Sequence, residues 1–223
     1  QCLTVIPPVL TKAFTPSQIV EGQTATLTFT LTKDASVVAS AATGLGFTDT
    51  LPANIVFATL PNVRTTCSDG VTVTNNPASV TLGANSIAVA ALSMDAAVAS
   101  CTISVDVTSY TAQNPSTACG AAGDAPYHNR PTNVTGITNN TINNQADACL
   151  SVAKVPTLTK AFSPAAISIG GTSTLTFTIS NPANNLAATG IHFTDTLPAN
   201  ITLAATPNLA TTCPSGLAAV ATT

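Results

Sequence analysis

The sequence predicts an all-β protein of immunoglobulin-like β-sandwich repeats in tandem, stapled by disulfide bonds. Three observations lead to this expectation. Apolar and polar residues alternate with period two over most of the chain, which is typical of half-buried strands. Long motifs recur along the chain. Six cysteines accompany a charged fraction of only 7%, which indicates an oxidising, extracellular compartment.

The alternating pattern defines the strands. Apolar side chains alternate with threonines, and threonine tolerates a half-exposed position in a sheet because it is β-branched. No window shows the apolar periodicity of a helix. The predicted strands, in chain order, are Val9–Phe14, Ala25–Thr32, Gly46–Leu51, Ile55–Ala58, Val71–Thr74, Ser79–Leu82, Ile87–Leu92, Cys101–Val107 and Val134–Ile142. Many short strands separated by turn signals favour a sandwich.

The internal repeat predicts the domain organisation. Leu10–Phe14 returns as Leu158–Phe162, and Phe47–Ile55 returns unchanged as Phe193–Ile201. The register places a complete repeat at residues 7–152, preceded by the tail of another repeat (1–6) and followed by the first half of a second one (153–223).

This register raises the question of what completes the half-repeat. Either the chain is a window on a longer protein, or a neighbouring subunit completes residues 153–223 by strand complementation. Repeated head to tail, such completion would build a homo-oligomeric fibre. The junction at residues 150–157 contains no glycine. It therefore predicts a short, stiff link that would stack the repeats as a rod.

The repeat also narrows the cysteine pairings. Cys213 is the copy of Cys67, and Cys2 is the counterpart of Cys149, so a full set of four exists only within the complete repeat. The expected disulfides are Cys67–Cys101 and Cys119–Cys149, with Cys2 and Cys213 unpaired within the chain. No CxxC pair occurs, and neither His128 nor His192 has metal-ligand spacing to a cysteine. We therefore expect no metal and no cofactor.

Composition excludes several functional classes. The formal net charge is −3, and the six basic residues are dispersed, so no basic surface for nucleic acid is expected. The apolar stretch Ile87–Met94 is too short to span a membrane. No serine lies in a nucleophile elbow, and the acidic residues are scattered. The sequence predicts that the protein is not an enzyme.

The repeated Phe-Thr-Asp-Thr-Leu-Pro-Ala-Asn motif has one charge in each copy, Asp49 and Asp195. The aspartate could be a metal ligand or a general acid. The structural interpretation is that it hydrogen-bonds local backbone where a strand meets a proline-led turn. A calcium site would need several clustered oxygen ligands, and the sequence favours the structural role.

Lys12 and Lys160 occupy the same place in the two copies of Thr-Lys-Ala-Phe. A lysine in this setting could form an intramolecular isopeptide bond with an asparagine, aided by a nearby carboxylate. The alternative is a solvent-facing lysine that discourages pairing at an edge strand. Since disulfides already supply a covalent staple, the sequence favours the edge-strand interpretation.

Two surface features remain. The segment Asp124–Arg130 is chemically varied and includes His128, so it could be a binding loop, although a loop held by Cys119–Cys149 is the simpler interpretation. Asn133, Asn139 and Asn200 fit the N-glycosylation sequon and are candidate modification sites.

The motif set resembles a bacterial conserved-repeat family, domain of unknown function 11 and its close relatives. The resemblance rests on Leu-Thr-Lys-Ala-Phe-x-Pro, Phe-Thr-Asp-Thr-Leu-Pro-Ala-Asn-Ile, Thr-Thr-Cys and Cys-Thr-Ile-Ser-Val-Asp-Val. It implies immunoglobulin-like modules in long exported surface proteins, and it implies no catalytic residue.

The leading hypothesis is a structural subunit of an extracellular or cell-surface bacterial assembly, either a filament or a repeat stalk. One alternative is an adhesin or carbohydrate-binding module, although the chain contains no tryptophan and only two tyrosines for stacking on sugars. The other is an accessory repeat region of a larger secreted enzyme.

Overall fold

The computed structural model describes residues 6–112, 127–137, 141–183, 185 and 187–213. Within these residues the secondary structure is β-strand, apart from one 3-10 turn at Pro131–Asn133. The chain divides into two units. The first comprises Gln1–Val155 with Asn181–Ala187, and the second comprises Pro156–Ser180 with Ala188–Thr223.

The strands follow the alternating pattern of the sequence. In the first unit they are β1 (Val9–Thr15), β2 (Gln18–Val20), β3 (Thr24–Thr32), β4 (Ala42–Thr50), β5 (Val56–Phe57), β6 (Arg64–Thr65), β7 (Thr74–Asn75), β8 (Val80–Leu82), β9 (Ser86–Met94), β10 (Ser100–Thr108), β11 (Tyr127–Asn129), β12 (Val134–Thr135), β13 (Asn143–Asn144) and β14 (Ala148–Ala153). In the second unit they are β15 (Thr157–Ser163) and β16 (Thr174–Ser180).

Two sheets of the first unit form a sandwich. The larger sheet has the strand order β13-β1-β3-β10-β6-β7, with β5 also pairing β10, and the other has the order β12-β4-β9-β8. Between them, the rings of Phe29 on β3 and Phe47 on β4 lie 5.2 Å apart, centroid to centroid. Both side chains are buried. The fold is an all-β sandwich, as the period-two alternation predicts.

The first unit also contains a small third sheet, with the strand order β11-β14-β2. In it β14 pairs β2 in parallel, with Val152 opposite Ile19, and β11 pairs β14 antiparallel. The sequence did not predict β2, β6 or β11, because two or three residues are too few to show a period. Val134–Ile142 is not the single strand expected, since β12 ends at Thr135 and Gly136 has a φ of +74°.

The repeated Pro-Ala-Asn sequence that follows β4 forms a turn. Asn54 has a φ of +69°, in the left-handed region that asparagine tolerates better than most residues. The amide of Ile55 donates to the carbonyl of Pro52 at 3.1 Å. Asn200 in the second copy has a φ of +67°, and the Ile201 amide donates to Pro198 at the same distance. The Pro-Ala-Asn part of the motif is therefore structural.

A disulfide joins Cys67 and Cys101, the first of the two pairings that the sequence favours. Cys101 is on β10 of the larger sheet, and Cys67 follows β6, with 34 residues of sequence separation. Both residues are buried, at 7% and 2% exposure. The bond ties a loop to the inner face of a central strand.

We expect the Cys67→Ala/Cys101→Ala double variant to lose about 3–4 kcal/mol of unfolding free energy, because the denatured chain regains the entropy of a closed loop. Chemical denaturation under non-reducing conditions measures this loss. Cys213→Ala is the control, since Cys213 is free and exposed. A double variant as stable as the Cys213 control would contradict the prediction.

The second unit repeats the pairing of the first. β15 and β16 are antiparallel, with Leu158 opposite Ile179. The rings of Phe177 and Phe193 lie 5.0 Å apart, as their counterparts Phe29 and Phe47 do in the first unit. However, Phe193 is 44% exposed. Several apolar residues on the second unit are exposed where their counterparts in the first unit are buried.

Candidate functional site

The candidate site is built around Lys12, whose side chain points into the core. On β1 the buried residues Leu10, Lys12 and Phe14 alternate with exposed ones, and Lys12 lies directly opposite Phe29 of β3. The Lys12 side chain is 0% exposed. The expectation of a solvent-facing lysine on an edge strand is wrong, because the alternation that buries Leu10 and Phe14 also buries the residue between them.

Asp49 enters the same region from the opposite sheet. On β4 it shares the inward face with Leu45 and Phe47, and its strand neighbours are Ile87 on β9 and Val134 on β12. Its side chain is 0% exposed. The expectation that Asp49 hydrogen-bonds local backbone is wrong, since its partners are side chains 37 and 80 residues away in sequence.

Asn129 on β11 completes the site from the third sheet. It is fully buried, and its neighbour across the strand pair is Ala148 on β14. Lys12, Asp49 and Asn129 therefore come from three different sheets and meet in the core. We call these three residues the core cluster.

The three side chains of the core cluster form a closed ring of hydrogen bonds. Lys12 Nζ donates to Asp49 Oδ1 at 2.7 Å and to Asn129 Oδ1 at 2.6 Å. Asn129 Nδ2 donates to Asp49 Oδ2 at 2.6 Å. Lys12 Nζ donates a third hydrogen bond, to the backbone carbonyl of Arg130 at 3.1 Å. Each polar atom of the cluster thus has a partner, as burial requires.

Burial dominates the electrostatics of the cluster. Desolvation lowers the pKa of Lys12, and the charge and hydrogen bond of Asp49 only partly oppose this effect. Desolvation likewise raises the pKa of Asp49, against the opposing charge of Lys12 and the hydrogen bonds from Lys12 and Asn129. Both shifts favour the neutral forms, an uncharged amine and a carboxylic acid.

The chemical content of the cluster is an amine, a carboxamide and a carboxyl group in mutual contact, sheltered from water. Those groups are the components of an amide-transfer reaction: a nucleophile, an electrophile and an acid–base group. At minimum the cluster ties the three sheets to one another by polar contacts.

The second unit contains two of the three groups. Lys160 on β15 forms an ion pair with Asp195, the copy of Asp49. This pair is open to solvent, with the two side chains 52% and 21% exposed. The pairing of lysine with aspartate therefore occurs in both copies of the repeat.

Of the four other cysteines, two lie among the described residues and two lie outside them. Cys149 is disulfide-bonded, whereas Cys119, its expected partner, lies outside the described residues, so the Cys119–Cys149 pairing stays a prediction. Cys2 also lies outside them. Cys213 is exposed and free.

The predicted binding loop at residues 124–130 is described from Tyr127 onwards. Tyr127 and Asn129 are buried in β11, and the His128 ring contacts the Asp147 side chain, with 2.5 Å between Nε2 and Oδ1. Of the candidate glycosylation sites, Asn200 is exposed in the turn after the second motif, and Asn133 Nδ2 donates to the carbonyl of Thr50 at 2.8 Å. Asn139 lies outside the described residues.

Two absences apply to the part of the chain that the structure describes. No group of three or more His, Cys, Asp or Glu side chains is arranged to hold a metal ion. No helix there is long and apolar enough to cross a membrane.

The sequence contained part of the signal for the core cluster. The period that buries Leu10 and Phe14 also turns Lys12 inward, and the same period on β4 buries Asp49 beside Phe47. Asn129 was missed, because β11 is three residues long and the first half of the second repeat has no counterpart to compare with it.

Comparison with known proteins gives one family. The model of a family described as domain of unknown function DUF7933 matches residues 8–152 and again residues 156–223. The match does not specifically support domain of unknown function 11 and its close relatives, the group that the motifs resemble. No curated protein matches the chain. Among solved structures, BcpA, the major pilin subunit of Bacillus cereus, aligns with 69% of this chain at 11% identity and a TM-score of 0.39. The chain spans 42% of that pilin.

Proposed function

We propose that this chain, which belongs to the DUF7933 family, is a structural subunit of an extracellular or cell-surface assembly, a filament or a repeat stalk. The observation that carries the proposal is a sandwich held together by a disulfide and a buried polar cluster, followed at once by a second match to the same family model at residues 156–223. Only Lys154, Val155 and Pro156 separate the end of β14 from the start of β15.

The bracing of the first unit supports a structural role. The Cys67–Cys101 disulfide fixes a loop to the central strand β10. The core cluster joins three sheets through bonds of 2.6–2.7 Å between residues far apart in sequence. Disulfides persist in oxidising compartments, which favours an extracellular location.

The segment Asp124–Arg130, the possible binding loop of the sequence analysis, also supports a structural role where it is described. Tyr127 is 5% exposed and Asn129 is fully buried, so neither presents a face to a sugar. Tyr127 Oη donates to the carbonyl of Thr111 at 2.8 Å. Tyr127 and Asn129 are therefore used for packing.

The exposed apolar residues of the second unit support association between subunits. Leu158, Phe162 and Phe193 are 46%, 39% and 44% exposed, whereas their counterparts Leu10, Phe14 and Phe47 are buried. Exposed apolar surface of this kind marks an interaction site. We propose that strands of a second copy of this chain cover it, which would link subunits head to tail.

Two measurements test the proposed function. Antibodies against residues 8–152 should label intact cells that express the protein, on filaments or envelope projections seen by immunogold electron microscopy. Labelling that requires permeabilised cells would contradict the proposed location. For the purified chain we expect concentration-dependent association in sedimentation velocity.

Association should be lost in the Phe162→Asp/Phe193→Asp variant. It should persist in Val71→Asp, because Val71 is an exposed apolar residue of the first unit, at 81% exposure. A wild-type chain that stays monomeric at high concentration would overturn the head-to-tail interface, and cell-surface labelling would still test the structural role by itself.

A further inference from the structure

The core cluster places a lysine amine against an asparagine carboxamide in a dry interior, with a carboxyl group touching both. We propose that Lys12 and Asn129 become joined by an intramolecular isopeptide bond, with Asp49 as the group that transfers the protons. This inference concerns a covalent modification of the first unit, and it stands independently of the proposed function.

The reacting atoms are within reach of each other. Lys12 Nζ lies 2.6 Å from Oδ1 of Asn129. Because a carbonyl bond is about 1.2 Å long, the amine can be no farther than about 3.8 Å from the carbonyl carbon Cγ. Reactive conformations place such atoms about 3–3.5 Å apart, so a small shift of the lysine side chain would bring the amine into position for attack.

Asp49 is placed to serve both nitrogen atoms. Its Oδ1 accepts from the attacking nitrogen, Lys12 Nζ, at 2.7 Å. Its Oδ2 accepts from the departing nitrogen, Asn129 Nδ2, at 2.6 Å. One carboxyl group can therefore take a proton from the amine and deliver it to the leaving group, which is the role of a general acid–base group.

The proposed reaction balances without any further reagent. The Lys12 ammonium gives one proton to the Asp49 carboxylate, and the free amine attacks Cγ of Asn129 to form the Nζ–Cγ bond. Asp49 then gives that proton to Nδ2, the Cγ–Nδ2 bond breaks, and ammonia leaves. The second proton lost by Nζ stays on Asp49. The products are a secondary amide, a neutral carboxylic acid and one molecule of ammonia.

The environment favours this course. The side chains of Lys12 and Asp49 are 0% exposed, and Asn129 is fully buried. Desolvation lowers the pKa of Lys12 and raises the pKa of Asp49, so the initial proton transfer between them is easier than in water. The reaction also replaces a buried ion pair by neutral groups and removes the desolvation penalty of two charges.

The repeat supplies an internal control. Lys160 has the same sequence context as Lys12 and the same aspartate partner, Asp195. Among the described residues its Nζ contacts that carboxylate and no asparagine amide, and its side chain is 52% exposed. Lys160 should therefore remain a free amine in the same polypeptide in which Lys12 has reacted.

Mass spectrometry of the folded, disulfide-reduced chain tests the proposal. We expect a mass lower than that of the sequence by one ammonia, and a protease digest in which the segments containing Lys12 and Asn129 appear as one cross-linked species. Gln1 can also lose ammonia by cyclising, so the cross-linked species and the comparison with variants carry the result. Trypsin should cleave after Lys160 and not after Lys12.

Variants separate the chemistry from the fold. Lys12→Met and Asp49→Asn should lack the cross-link, and Lys160→Met should retain it. Asn129→Asp should form the same bond with loss of water in place of ammonia, because the electrophile is then a carboxyl group. Circular dichroism establishes which variants fold.

A folded wild-type chain with separate Lys12 and Asn129 segments would overturn the proposal, as would an undiminished cross-link in a folded Asp49→Asn variant. A cross-link at Lys160 that persists in the Lys12→Met variant would show that the bond forms at Lys160. That result would also overturn the proposal.

Discussion

Replacing Lys12 by methionine is expected to lower the free energy of unfolding by about 3–5 kcal/mol, because the variant buries the Asp49 carboxyl group without the lysine nitrogen beside it. The Asp49 side chain is 0% exposed, so an ionised carboxylate in the variant would have neither a counter-charge nor water. Chemical denaturation monitored by circular dichroism measures the loss.

The same substitution should acquire a pH dependence with a defined sign. Desolvation raises the pKa of Asp49 above its ordinary value of 3.8, and loss of the Lys12 charge raises it further. A carboxyl group whose pKa is raised by folding destabilises the fold as pH rises from the ordinary value through the raised one. Lys12→Met should therefore be closest to wild type in acid and weakest near neutral pH.

Adding Asp49→Asn to Lys12→Met should restore part of the stability near neutral pH and abolish the added pH dependence. The second substitution removes the buried charge and keeps an oxygen that can accept from Asn129 Nδ2. Both variants lack the Lys12 amine, so the comparison holds whether or not the amine has reacted.

Lys160→Met is the matched control, because Lys160 has the same neighbours in sequence but a half-exposed side chain. Its effect on stability should be within about 0.5 kcal/mol, as for other surface substitutions. Equal losses for Lys12→Met and Lys160→Met would show that burial of the core cluster does not determine its energetics.

Phe29→Ala is expected to cost about 3–5 kcal/mol, since a buried phenylalanine leaves a cavity when it is truncated. Phe29 is fully buried. It contacts the Phe47 ring across the sandwich and lies opposite Lys12 and Ile103 in its own sheet. Its removal therefore loosens contacts both between the two sheets and within one of them.

The measurement for Phe29→Ala is hydrogen exchange at β3, β4 and β10, which should speed up together as the first unit loses stability. Phe177→Ala, the same residue in the second copy, should leave the exchange of these three strands unchanged. If Phe29→Ala changed exchange at β3 alone, the two sheets would not unfold as one cooperative unit.

The sequence was sufficient to predict the sandwich because its long strands carry clean alternation. On β3 the alternation of threonine with Ala25, Leu27, Phe29 and Leu31 matches the buried and exposed positions seen in the structure. β4 and β9 begin or end a few residues beyond the predicted bounds, and on β9 the alternation is interrupted where Ala90 and Ala91 are both exposed. A register shift of one residue would move every apolar side chain of such a strand to the solvent face. Alternation therefore determines which face of each strand lies in the core of a half-buried sheet.

The core cluster was harder to predict because polarity concealed its burial. A lysine between two buried residues follows the period, yet a charged side chain is normally placed in solvent. Burial becomes acceptable only when Asp49 and Asn129 both arrive with matching polar atoms. Predicting this cluster therefore requires the positions of strands in three different sheets. One of those strands, β11, has three residues, which is too few to show a period in the sequence.

The parallel pairing of β14 with β2 has a mechanical consequence. In sequence, β2 lies near the beginning of the repeat at residues 8–152 and β14 lies at its end. The two strands run side by side in the same direction, with Val152 opposite Ile19. Tension applied between the ends would slide the strands past each other and load their hydrogen bonds together. An antiparallel pair joined by a hairpin would instead open one bond at a time. In this topology the unit resists stretching by shear.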